Sequence, residues 1–291
     1  MLILTCACSL FTMELRQVEF LIEGCLLPLT MGELRVSEKL LLHQALRRES
    51  ASWLTPPNPF YTLAYVCVEK SDEANYFPIA VSYLEFFLLI YTLVSGQPVT
   101  ARMGVGTPLD NIDSLGKKKI SFPSVEKVHV EEKQMVSPLN KLILNAKDRF
   151  LRLLPDRQQI MTSYLGLALT YYYHAVRASQ RRLEEVIINL MIASEALLIV
   201  KDEKIRSSLA GRLSSLIAKN EMEKTEISKK TRELYDLRCD IVHGRGKKPS
   251  WNDVTLLLSY VKRAIDTALP LRHFEKKELL EKLDIESQDN I

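Results

Sequence analysis

Residues 186–200 (VIINLMIASEALLIV) are apolar on nearly every side of a helix and carry a single charge, Glu195. A helix of that kind is stable only when other elements surround it, so it must be the centre of a bundle. The flanking sequence agrees. Beyond Pro138 almost every segment has helical periodicity and there is little glycine to interrupt it. Helices are expected near 139–153, 155–179, 181–200, 203–219, 222–243, 250–269 and 273–284. Short polar connections such as Lys201–Lys204 join antiparallel neighbours.

The first part of the chain has a different texture. Tyr61–Val68 (YTLAYVCV) alternates and is rich in β-branched and aromatic residues, which predicts a strand. Gln17–Cys25 and Glu33–Leu42 are weaker strand candidates, the second of which could equally begin a helix, and Lys127–Glu132 is a short strand. The prolines of Thr55–Phe60 mark a loop, and Thr107–Lys119 has the composition of another. Ala80–Val94 predicts a buried helix stopped by Ser95-Gly96-Gln97-Pro98. The fold class expected is therefore an α+β chain of two domains. A mixed α/β domain over 1–137 is followed by an all-α bundle over 138–291, with the boundary in the polar stretch Glu131–Pro138.

Length and composition fit this reading. At roughly 100–200 residues per domain, 291 residues suggest two cores. With 10 glycines and 12 prolines, collagen-like and low-complexity chains are excluded. Five scattered cysteines, an odd number without a C-x-x-C pair, exclude a disulfide framework and a zinc ribbon, and point to a reducing, cytoplasmic setting. The apolar opening lacks the leading basic residue of a secretory signal, and Phe77–Val94 is interrupted by Pro78 and Glu85, so no membrane segment is expected. Up to Leu144 the charge is 13 Lys+Arg against 15 Asp+Glu; from Asn145 on it is 26 against 21. The second part is thus mildly basic, which permits a polyanionic partner without requiring one.

One stretch concentrates chemistry: Glu233–Lys248, ELYDLRCDIVHGRGKK. Leu234, Leu237 and Ile241 form an apolar stripe, and Arg238 lies beside it, pointing toward the core side. A guanidinium there needs an acidic partner or an anionic ligand. His243 precedes Gly244, the residue type found just past helix ends, so the imidazole sits at the negative end of the helix dipole. Arginine can hold phosphate oxygens bidentately, and histidine can take and return a proton near neutral pH. Arg245, Lys247 and Lys248 add a basic loop with two flexible glycines, which would bind RNA if RNA is the ligand. A capping His-Gly and a salt-bridged arginine also occur in many helices that catalyse nothing, and the spacing alone leaves both readings open.

The two segments Ile188–Leu198 (INLMIASEALL) and Leu234–Gly244 (LYDLRCDIVHG), with SSLAGRLSSLIA between them, resemble the HEPN superfamily (higher eukaryotes and prokaryotes nucleotide-binding), specifically its ApeA-like branch. The resemblance covers about residues 145–285. It implies a helical domain that pairs with itself and cuts RNA without metal or cofactor. An R-x(4–6)-H motif from each subunit faces the other, and the ribose 2′-hydroxyl attacks the neighbouring phosphate. Arg238 and His243 match the motif's two fixed positions, as phosphate clamp and general acid/base. Glu195 matches the acidic residue of the central helix and would orient Arg238, although a structural pairing with that arginine fits it equally well. A defence or stress role follows from the same resemblance.

One departure bears on activity. Many active members carry Asn, His or Asp directly after the arginine, where this chain has Cys239. The second reading is accordingly a catalytically silent HEPN dimer that serves as a nucleic-acid-binding or protein-interaction module. The remaining residues suggest less. His43, His129, His174 and His273 have no ligand spacing, so no metal is expected. Tyr171–Tyr173 fits helix packing better than base stacking. Met103–Gly106 lacks the lysine of a phosphate loop.

Overall fold

The computed structural model describes residues 15–23, 33–37, 40–46, 60–69, 76–97, 99–103, 138–179, 182–201 and 203–288. The chain divides into two compact units, Met1–Phe87 with Val99–Lys147, and Leu88–Pro98 with Asp148–Ile291.

In the first part, strands β1 (Leu15–Glu23), β2 (Glu33–Arg35), β3 (Leu40–Leu46), β4 (Phe60–Glu69) and β5 (Thr100–Met103) pair antiparallel in the order β2-β3-β4-β1-β5. The register sets Val18 opposite Val66 and Leu42 opposite Ala64. Val36, Leu40, Ala64 and Val66 are buried. Helix α1 (Tyr76–Ser95) ends at Gly96, whose positive φ of 67° closes the last turn onto Thr92. Pro78–Ser95 is long and apolar enough to cross a membrane, but 61% of it is buried in the protein. Phe86, Phe87, Ile90, Tyr91 and Leu93 have no exposed surface, as in a core helix.

The expected mixed α/β N-terminal domain is not what the structure shows, and the α+β fold class is corrected. From residue 138 on, the described chain is helical and contains no strand or sheet. The strands before it pair only with antiparallel neighbours among the described residues, and α1 is divided at Phe87, with its second part belonging to the helical unit. The physical reason is that an apolar run such as Ala80–Val94 identifies a buried helix without saying which core buries it. The predicted Lys127–Glu132 strand, the Thr107–Lys119 loop and the stretch from Glu131 to the residue before Pro138 lie outside the described residues.

The helical part comprises α2 (Pro138–Leu153), α3 (Arg157–Thr162), α4 (Tyr164–Ala178), α5 (Leu183–Leu198), α6 (Ile205–Ile217), α7 (Glu221–Val242), α8 (Trp251–Ala268) and α9 (Lys276–Gln288). Helix α5 is the centre, as its composition requires: Val186, Ile187, Leu190, Met191, Ala193, Leu197 and Leu198 are wholly buried. It packs along α4 and also touches α6, α7, α8 and α9. The single helix expected over 155–179 is broken. Leu154–Asp156 is a 3₁₀ turn containing Pro155, and Ser163 is extended and caps α4 by accepting a bond from the Leu165 amide at 3.1 Å.

Several helix ends are sealed by cations from other helices. Lys262 donates to the carbonyls of Leu93 and Val94 at the end of α1, Arg263 to Ile217 at the end of α6, and Lys276 to Ile199 just past α5. Each satisfies carbonyls that have no partner within their own helix. Arg212 does more: it bonds Glu203 at 2.6 and 2.9 Å, Asp284 at 2.8 Å through two nitrogens, and the Leu198 carbonyl at 2.9 Å. That network ties α9 and the α5–α6 connection to α6.

Candidate functional site

Helix α7 starts at Asn220, whose side chain accepts from the Glu223 amide at 2.9 Å, and runs 22 residues to Val242. Its end is a Schellman motif. The Gly244 amide bonds the Ile241 carbonyl at 3.1 Å, the Arg245 amide bonds the Asp240 carbonyl at 2.8 Å, and Gly244 takes a φ of 66°. This geometry puts His243 at the capping position with its side chain exposed. Arg238 is five residues earlier, which on a helix is a rotation of roughly 140°. Within one chain the two therefore point to different sides of α7.

Arg238 faces α5. Its Nε is buried with no hydrogen-bond partner, and so is Oε1 of Glu195. Burial pushes the Glu195 carboxyl above its ordinary value, and the nearby Arg238 charge pulls it partly back. No direct hydrogen bond or ion pair joins the two among the described residues, so the bonded contact expected from the sequence is not made directly. The guanidinium instead lies over the Tyr235 ring, 5.9 Å from its centre. Burial, then Cys239 and Glu195, push the Tyr235 phenol up. Glu195, Tyr235, Arg238 and Cys239 thus form one half-buried cluster between α5 and α7. The sequence reading missed Tyr235, although its i, i+3 spacing to Arg238 was a signal for it.

The basic loop is arranged differently from its expected role. Asp240 holds Lys247 at 2.7 Å and Arg245 at 3.2 Å, and these cations keep its carboxyl below the usual range. Two of the three cations assigned to RNA are thus already paired, while Lys248 is exposed and has no ion pair among the described residues. The sequence reading missed this clamp. The signal available was the spacing of Asp240 before two cations in a glycine-containing turn.

The other candidates have structural roles. Tyr172 is buried and its phenol is pushed up to about 12, by burial first and then by Asp266. His174 lies against Tyr171 and Tyr173, with ring centres 6.2 and 5.8 Å away. No group of three or more His, Cys, Asp or Glu side chains that could hold a metal occurs among the described residues. Met103 ends β5, and the rest of Met103–Gly106 lies outside the described residues. Comparison with protein-family models, characterised proteins and solved structures finds no match to this chain.

Proposed function

We propose that this chain is a cytoplasmic HEPN-type endoribonuclease that acts as a homodimer, without metal or cofactor, in defence or stress. The observation that carries the reading is Arg238. Among the described residues it is the only arginine with a buried nitrogen that has no partner. Arg149, Arg206, Arg212, Arg245, Arg263 and Arg272 all have carboxylates. A guanidinium withheld from ion pairing, beside a carboxylate that does not neutralise it directly, is suited to an incoming phosphate.

His243 supplies the proton chemistry. In-line attack forms the bond from the 2′-oxygen to phosphorus as the bond to the 5′-oxygen breaks. A base accepts the 2′-hydroxyl proton and an acid donates one to the leaving oxygen, leaving a 2′,3′-cyclic phosphate and a 5′-hydroxyl. One chain turns Arg238 and His243 to different sides of α7, so the proposed site sets His243 of one chain against Arg238 of a two-fold-related copy. Developing charge on the phosphate is met by Arg238. The test is purified full-length protein on total RNA in EDTA. Cleavage that persists in EDTA and is lost in His243→Ala supports the reading, and cleavage that needs a divalent ion or survives His243→Ala overturns it.

The second reading, a silent dimer that binds nucleic acid or protein, is favoured by two observations. Cys239 stands where active members carry a polar residue, and Asp240 occupies Arg245 and Lys247. A folded dimer that leaves RNA intact even with Cys239→Asn selects it.

A further inference from the structure

A groove of about 500 Å³ runs between α6 and α7, away from the Glu195–Arg238 cluster. Arg206, Lys224, Lys229 and Arg232 line it, against the carboxylates Glu221 and Glu233. Two of the cations are engaged: Arg206 grips Asp236 at 2.6 and 2.7 Å, and Lys224 reaches Glu221 at 3.8 Å. Lys229 and Arg232 have no ion pair or hydrogen bond among the described residues; Lys229 acts on Glu233 only through space. Thr225 and Ser228 also line the groove.

The α6 wall contains Gly211, in mid-helix. Glycine weakens a helix interior, and a Cβ built at Gly211 would meet nothing within 4 Å. The fold itself therefore has no need of that glycine, whose effect is to keep the groove open and the α6 backbone accessible. The α7 wall leads somewhere specific. His243 lies three turns beyond Arg232 and within roughly 20° of the same direction, whereas Arg238 is turned about 120° away.

From this geometry we infer that the α6–α7 groove is the track for the sugar–phosphate backbone of single-stranded RNA, delivering the strand to His243. The inference rests on the ribonuclease reading and deepens it by locating the substrate path. Lys229 and Arg232 contact successive phosphates, and the hydroxyls and the open wall at Gly211 accept the ribose–phosphate edge. His243 of the same chain then meets the strand as it leaves the groove, and Arg238 comes from the second copy.

Binding of a fluorescein-labelled single-stranded RNA 20-mer tests this, using full-length protein carrying His243→Ala so that nothing is cut. In that background Lys229→Ala with Arg232→Ala should weaken binding by about tenfold or more and make the log–log salt dependence shallower by about 1.4. Gly211→Leu removes no charge but fills the groove, so it should weaken binding while leaving the salt slope of the residual binding unchanged. Lys277→Ala, on the exposed face of α9, should change neither. Thermal unfolding checks that each variant is folded, and either groove variant suffices if the other fails to fold. Unaltered affinity in a folded groove variant overturns the track, as does a parent protein that binds no RNA. Cleavage of total RNA by the wild type is read independently, so loss of the track and loss of the nuclease reading are told apart.

Discussion

A carboxylate oxygen and a guanidinium nitrogen that are both cut off from water and both unpartnered impose a cost on the fold. Glu195 and Arg238 are that pair of atoms. Because burial raises the Glu195 pKa, the native state holds this proton more tightly than the unfolded chain. The favourable contribution is complete below the ordinary carboxylate value and is lost as pH rises through the higher folded value. Glu195→Gln, a neutral mimic, should therefore raise Tm at about pH 7, with the gain vanishing near pH 4. A lower Tm at neutral pH would mean instead that ionised Glu195 holds Arg238 in place. The sequence made Glu195 and Arg238 legible because each is a lone charge on an apolar face. The clamp of Asp240 on Arg245 and Lys247 was legible only in part: the spacing sets the three residues around a glycine-containing turn, but the contacts depend on how that turn closes.

Among the elements, the long helices could be read because 3.6-residue periodicity is a local property; α5 and α7 fall within two or three residues of their expected limits. The break between α3 and α4 could not. Nothing between Arg157 and Ala178 other than Gly166 marks a stop, and that glycine has a tertiary purpose. A Cβ on Gly166 would come within 2.6 Å of the carbonyl oxygens of Ile160 and Met161, so the end of α3 can fold against α4 only if the side chain is absent. Gly166→Ala should cost about 1–3 kcal/mol, a fall in Tm of roughly 2–4 °C per kcal/mol. Gly211→Ala, which meets nothing, should be neutral or stabilising. Equal effects of the two substitutions in thermal unfolding would contradict this account of the α3–α4 corner.

At the scale of the molecule, the bundle could be anticipated because a helix as apolar as α5 must be enclosed by others. The first part was less legible: strand patterns can be recognised one at a time, but their order and their relation to α1 depend on pairings distant in sequence. The site follows the same division. Arg238 and His243 can be named from one segment, while the α6–α7 groove exists only once two helices lie side by side. The angular separation of Arg238 and His243 on α7 is what makes a second copy necessary to the proposed chemistry. The most direct measurement of that claim mixes His243→Ala subunits with Arg238→Ala subunits and follows the release of 2′,3′-cyclic phosphate from RNA in EDTA. The account predicts that the mixture regains cleavage that neither variant has alone, in proportion to the heterodimer formed. A mixture as inactive as its components beside an active wild type, or a wild type that cuts RNA as a monomer, would contradict it.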